Sequence, residues 1–309
     1  MTRFDVTIAG ELNLDLILYG LPEALPPERE LLADNMMLTL GSSSAIVAHN
    51  LAALGDRVGF VSCIGDDPLG NIALERLGAG GVEVQEVVRR SGIQTGLSVI
   101  LQREKWRTIL TYPGTIYDLK PEHINFDYLA ASRHFHLSSF YLQRALRPRA
   151  AELFRRMKER GLTTSLDPND DPDDEWKNDI LETLRYVDIF LPNEREAKKI
   201  AETENIEEAV SKLASIVPLV VVKLGADGAL AQRGSERCVG SATRVKTVDA
   251  VGAGDSFDAG FLHEFLRGGG LQGCLSSGNV AGALSTTRAG GTEAFRDSEY
   301  RNRFLREQL

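Results

Sequence analysis

The chain has 309 residues, with 35 Lys and Arg against 44 Asp and Glu, giving a net charge of −9. That balance argues against a broad nucleic-acid or anionic-membrane surface, both of which need clustered positive charge, but not against a local anion site. At 43% hydrophobic and 26% charged residues the composition is that of a soluble globular chain, long enough to bury a substantial core.

In chain order, Phe4–Ala9 reads as a buried strand, and Asp5 inside that short apolar run argues against a signal peptide. Residues 12–40 hold three prolines and no clear helix. A helix is predicted over 44–54, a second buried strand over 58–64, and a helix over 69–77 closed by glycines at 78, 80 and 81. From 82 the residues alternate apolar and polar (VEVQEVV, LSVILQ, RTILTY), as in antiparallel strands with one solvated face. Segments 12–40 and 82–112 are therefore expected to form a small projecting sheet, a lid, with Trp106 near one of its turns. A long amphipathic helix is predicted over 144–160, and strands over 163–166, 188–191 and 219–223. Helices over 180–184, 193–201 and 206–216 alternate with those strands. Continuous β-branched runs interleaved with helices imply an α/β fold, a mostly parallel sheet covered on both faces. Two Gly/Ala-rich helices, 254–267 and 271–288, close the chain.

His134 and His136 lie two apart on one strand face with no third ligand in view, and a structural role is expected for them. Cys63, Cys238 and Cys274 are odd in number and form no C-x-x-C, which fits a reducing cytoplasm. Of the 29 glycines, 13 lie before residue 115, one lies in 115–224, and 15 lie from Gly225 onward.

Chemistry concentrates in residues 249–260, DAVGAGDSFDAG. A strand over 243–248 is expected to run into this Gly-rich turn, and a helix follows. Free N–H groups at a helix start, with the positive end of the dipole, bind anions. The segment is not a P-loop, because Gly-Lys occurs nowhere, and Phe257 breaks G-x-G-x-x-G. Asp255 stands at the helix start, where the dipole is expected to keep it ionised. It either accepts a proton from an attacking hydroxyl or simply stabilises the helix N-terminus.

The stretch resembles the second signature of the PfkB family of carbohydrate kinases, D-T-x-G-A-G-D-x-F, with Ala250 in place of Thr. Six further motifs resemble the family in order: Gly10 to Asp15, Gly41 to Gly55, Gly65 to Gly70, Asp167-Pro168-Asn169 with Trp176, Asn193 to Glu196, and Lys223 to Gly228. The resemblance implies a ribokinase-like three-layer α/β/α domain over residues 1–309, with a small β-sheet lid. It implies ATP-dependent transfer to a hydroxyl of a monosaccharide or related polyol. Asp255 would be the general base, and the backbone of Gly252, Ala253 and Gly254 the anion hole. Asn13, Asp15, Gly41, Ser42 and Ser43 would hold the sugar. Asn193, Lys223, Gly225, Gly228 and Asn279 would line the nucleotide site. Asn193 and Glu196 would organise Mg2+ through water. Asp249 and Val251 occupy the loop where many members bind a monovalent cation such as K+. Lid faces often pair within the family, so a homodimer is expected, with sugar and ATP as partners and neither nucleic acid nor membrane.

Two departures bear on the acceptor. Ser42 and Ile46 replace a Gly and a sugar-facing Asn, so the substrate would be less polar on that side, or Ser43 and Ser44 would supply contacts, or Ile46 would pack on the base of a nucleoside. Arg107 is placed to neutralise substrate or phosphate charge, or is plain surface charge. A nucleoside kinase and a catalytically silent sugar or nucleotide sensor are the alternatives; the intact GAGD argues against the sensor.

Overall fold

The structure, a computed structural model, describes residues 2–103, 106–176 and 179–309. In chain order the strands begin with β1 (Phe4–Ala9), β2 (Leu14–Tyr19), β3 (Asn35–Leu40), β4 (Val58–Gly65), β5 (Glu83–Arg90), β6 (Leu97–Gln102) and β7 (Arg107–Tyr112). They continue with β8 (Ser132–Leu137), β9 (Thr163–Leu166), β10 (Ile189–Phe190), β11 (Leu219–Lys223), β12 (Ala229–Arg233) and β13 (Glu236–Gly240). Nine of them form one sheet in the order β13-β12-β11-β10-β9-β8-β1-β4-β5. All its pairs are parallel except β11–β12 and β12–β13.

The apolar runs form strands because both faces are covered. Along β11, Val220 and Val222 enter one core while Leu219 and Val221 enter the core on the opposite face, the period-two alternation of a pleated strand. Helix Ser43–Leu54 is capped by Ser42, whose Oγ accepts from Ala45 N at 3.0 Å, and Gly55 closes it in the left-handed conformation. The predicted Gly/Ala-rich pair is Ala253–Leu266 and Leu271–Thr286. Gly260 lets them approach closely, since a Cβ there would stand 2.5 Å from that of Ala281.

The small sheet has the order β3-β2-β6-β7. It corrects the expected lid in two ways. β5 belongs to the large sheet, parallel to β4, so only β6 and β7 come from segment 82–112. Its alternating sequence reflects a half-solvated edge strand. β2 and β6 pair in parallel. The turn expected around Trp106 includes residues 104 and 105, which lie outside the described residues.

Two other expectations fail for local reasons. The helix predicted over 144–160 begins only at Ala150, after a 3-10 turn at Arg147–Arg149, because Pro148 has no N–H to donate. Residues 243–248 form no strand; they are irregular, with Val248 60% exposed and its N–H donated to Thr286 O.

Candidate active site

Helix Ala253–Leu266 starts at Gly252, whose φ of 73° is a left-handed conformation. A Cβ on Gly252 would lie 2.6 Å from Gly291 Cα, so glycine is required twice over. No side chain caps this helix. Its first turn, at Ala253, Gly254 and Asp255, therefore keeps the anion-binding character of a free helix N-terminus.

Asp255 is half-buried and accepts a hydrogen bond from Ser43 Oγ at 2.5 Å. Burial, with the nearby Asp167 carboxylate, pushes its carboxyl up to about 6. Desolvation thus outweighs the helix dipole expected to favour the charged form. Beneath the loop, Lys223 at the end of β11 extends toward Gly254, where a Cβ would be 3.7 Å from Nζ. Lys223 Nζ donates to Asp167 at 2.9 Å and to Asp258 at 3.0 Å. Burial disfavours that ammonium, but the two carboxylates outweigh it and hold its pKa above the usual range. Burial drives the Asp258 carboxyl far up, against the opposing pull of Lys223. Burial also raises Asp167, but Lys223 more than offsets this and its carboxyl ends below the ordinary value.

Asn193 and Glu196 form a capping box: Glu196 accepts from Asn193 N at 2.8 Å and from Nδ2 at 2.5 Å. Glu196 is buried, and desolvation together with Asp167 pushes it up to about 8. Among the described residues no three His, Cys, Asp or Glu converge as metal ligands. A magnesium ion needs few protein ligands and keeps its waters, so Asn193 and Glu196 fit one held through water.

A cavity of about 700 Å³ is lined by Lys223, Gly225, Gly228, Gly254, Phe257 and Asn279, among others. The Nδ2 of Asn279 is buried without a hydrogen-bond partner, an orphan donor beside that cavity. Gly228, with φ 95°, has Gly240 O only 2.0 Å from where its Cβ would stand. A second cavity of about 600 Å³ shares Lys223 and Gly225 and is walled by Asn193, Glu194 and Lys198.

On the far side of Asp255, Gly41 brings Asn13 and Asp15 together: a Cβ there would meet Asp15 Oδ1 at 2.1 Å and Asn13 Nδ2 at 2.8 Å. Burial, then the charge of Asp255, pushes Asp15 up to about 7. Asp15 belongs to a polar row crossing the small sheet, Thr39–Asp15–Ser98–Thr111. Ser42 is engaged elsewhere, donating to Glu11 O at 2.5 Å and capping its helix. Ser44 donates to Glu11 Oε2 at 2.8 Å, which leaves Ser43 as the serine on Asp255. Ile46 packs under the loop: its Cδ1 stands 2.7 Å from the place of a Gly291 Cβ and 3.1 Å from that of Gly252. At 2% exposure it is packed inside the protein.

Three residues were not singled out from sequence. Glu11, buried, accepts from Ser44, Ser139 and Gln143 and ties two segments together. Asp258 anchors Lys223. Tyr19 donates to Asp249 Oδ2 at 3.0 Å, which also accepts from Gly290 N, while Oδ1 accepts from Val251 N. The Asp249 carboxylate is thus clamped by three donors, which hold the loop around Val251 in place. The only sequence signal for Glu11 and Tyr19 is a polar group in an apolar run. His134 and His136 are buried and bonded to Ser165, a structural role as expected.

The family model described as pfkB family carbohydrate kinase matches residues 3–297. The chain belongs to the PfkB family. As a PfkB carbohydrate kinase it is a phosphotransferase with an alcohol group as acceptor. An ATP-dependent ribose-1-phosphate kinase of Halopiger xanaduensis is 32% identical over 94% of both chains. Among solved structures, a ribokinase of Thermotoga maritima superposes with a TM-score of 0.83 at 25% identity, covering 98% of this chain and 99% of the other. An adenosine kinase of Sinorhizobium meliloti gives 0.85 at 26% identity, covering 97% and 99%. The fold is therefore that of the ribokinase-like PfkB kinases. None of the described helices is long and apolar enough to cross a membrane.

Proposed function

We propose that this chain transfers the γ-phosphate of ATP to a hydroxyl of a monosaccharide or related polyol. The observation that carries this reading is the position of Asp255, on an uncapped helix N-terminus whose Gly254 lines the 700 Å³ cavity and near enough to Asp15 for its charge to act there. Asp255 takes the proton of the acceptor hydroxyl as its oxygen attacks phosphorus, and ADP leaves with the electrons of the broken P–O bond. The N–H groups at Gly252, Ala253 and Gly254 hold the transferring oxygens. Asn279 offers its unpaired donor to the nucleotide, Gly225 and Gly228 let its body lie close, and Lys223 faces its phosphates. Magnesium, held through water by Asn193 and Glu196, would neutralise phosphate charge.

The name of the Halopiger relative supports a sugar acceptor, and Arg107 supports one with an anionic substituent. Arg107 shares the inward face of β7 with Thr111, takes part in no ion pair among the described residues, and its charge acts on Asp15. A screen of ADP release across neutral sugars, sugar acids, sugar phosphates and nucleosides is expected to single out a sugar. Ligand-induced thermal shifts without ADP release from any acceptor would favour a silent sensor instead. If the preferred acceptor is anionic, Arg107→Met is expected to raise its KM about tenfold and leave neutral sugars unaffected.

The outward face of the small sheet supports a homodimer. Its cross-strand row Leu38–Leu16–Val99–Leu110 is apolar, with Leu110 55% and the neighbouring Met36 60% exposed. Leu110→Asp is expected to convert a dimer into a monomer by light scattering; a monomeric parent protein would end that reading.

A further inference from the structure

We propose that Tyr19 is a positioning residue for the anion-hole loop, tying the acceptor-side sheet to residues 249–252 so that acceptor and nucleotide binding are coupled. The proposal rests on the kinase reading for its consequence, but on contacts alone for the tie itself. Asp15, Ile17 and Tyr19 share one face of β2, two residues apart. Asp15 sits in the acceptor cluster. Ile17 packs with Ile100 against Val251. Tyr19 Oη donates to Asp249 Oδ2 at 3.0 Å. Asp249 in turn receives Val251 N at 2.9 Å and Gly290 N at 3.1 Å, and its own N–H goes to Thr286 O at 3.2 Å. Gly252, the next residue after Val251, begins the uncapped helix. One strand thus touches both the residues expected to read the acceptor and the loop that sets the helix N-terminus. Whatever seats β2 against the acceptor also seats the loop, and the coupling is reciprocal by linkage. Burial holds the Tyr19 phenol protonated, so it remains a donor at any ordinary pH.

Tyr19→Phe removes the hydroxyl and keeps the ring, and Tyr112→Phe makes the same change on the other face of the sheet. In the ligand-free protein, the amides of residues 250–254 are expected to exchange about tenfold faster in Tyr19→Phe than in the parent or in Tyr112→Phe. With a non-hydrolysable ATP analogue, the factor by which saturating acceptor tightens nucleotide binding is expected to fall at least about threefold in Tyr19→Phe, with acceptor affinity alone little changed. Equal exchange in all three proteins overturns the tie. Faster exchange with an unchanged coupling factor overturns the coupling. Faster exchange in a protein that releases ADP from no acceptor leaves the tie standing and removes the kinase reading.

Discussion

Asp255→Asn is expected to lower kcat by about 10²–10⁴-fold, with the KM values for nucleotide and acceptor little changed. The substitution keeps the shape and leaves Ser43 a hydrogen-bond partner at Oδ1, so the loss isolates proton acceptance. A fall of less than about tenfold would sink the general-base assignment. The pH profile carries the same information. With the Asp255 carboxyl pushed up to about 6, kcat/KM should rise with pH through that value and level off above it. Stability should move the opposite way. A carboxyl whose folded pKa is raised favours the fold fully below its unfolded pKa near 4, and that contribution is lost as pH rises through about 6. Removing the charge should therefore stabilise the protein at pH 7.5, by about 1–2 kcal/mol after allowance for solvent screening of a half-buried group, and leave it unchanged near pH 4. Thermal unfolding at the two pH values, set beside turnover, separates this residue from one that merely completes a helix. A helix-stabilising Asp would lose stability when replaced, with the activity intact.

Lys223→Met should have the largest effect on stability. It strands Asp167, 3% exposed, and the fully buried Asp258 without the ammonium that both contact. Breaking a buried charge pair from one side costs about 3–5 kcal/mol, a severe fraction of the stability of a typical domain. The loss should be partly relieved by adding Asp167→Asn, which removes the buried charge left without its ammonium. That double variant then asks a cleaner question. If it folds but its nucleotide KM rises and its kcat falls by tenfold or more, Lys223 acts on phosphates as well as on its own carboxylates. Wild-type kinetics in the rescued protein would make Lys223 purely structural.

What was legible from sequence follows the range of the forces involved. β1 and β11 were readable to the residue because a continuous apolar run is a local signal. The turn from Gly252 to Asp255 was readable because glycines and an acid at a helix start act within one turn. The partners of that turn were not. Lys223 and Asp258 are 35 residues apart, Glu11 and Gln143 are 132, and Tyr19 and Asp249 are 230, and no periodicity links residues so distant. The same blindness misplaced β5, whose alternation describes a half-solvated strand without saying which sheet it joins. It also supplied a strand at 243–248, where β propensity is present and a pairing partner is not. Ile46 is a different case: one apolar side chain in the sequence says nothing of where it packs, and here it lies under two glycines.

Two strands of the small sheet, the inner β2 and the edge β7, differ in how much else hangs on them. On β2, Asp15 belongs to the cluster proposed to hold the acceptor and Tyr19 to the Asp249 clamp, so a change there is expected to disturb both at once. On β7, Arg107, Ile109 and Thr111 share the inward face, and all three are exposed. New acceptor preferences can therefore be written on β7 with little collateral damage, and a directed-evolution library aimed at specificity belongs there, with β2 left untouched.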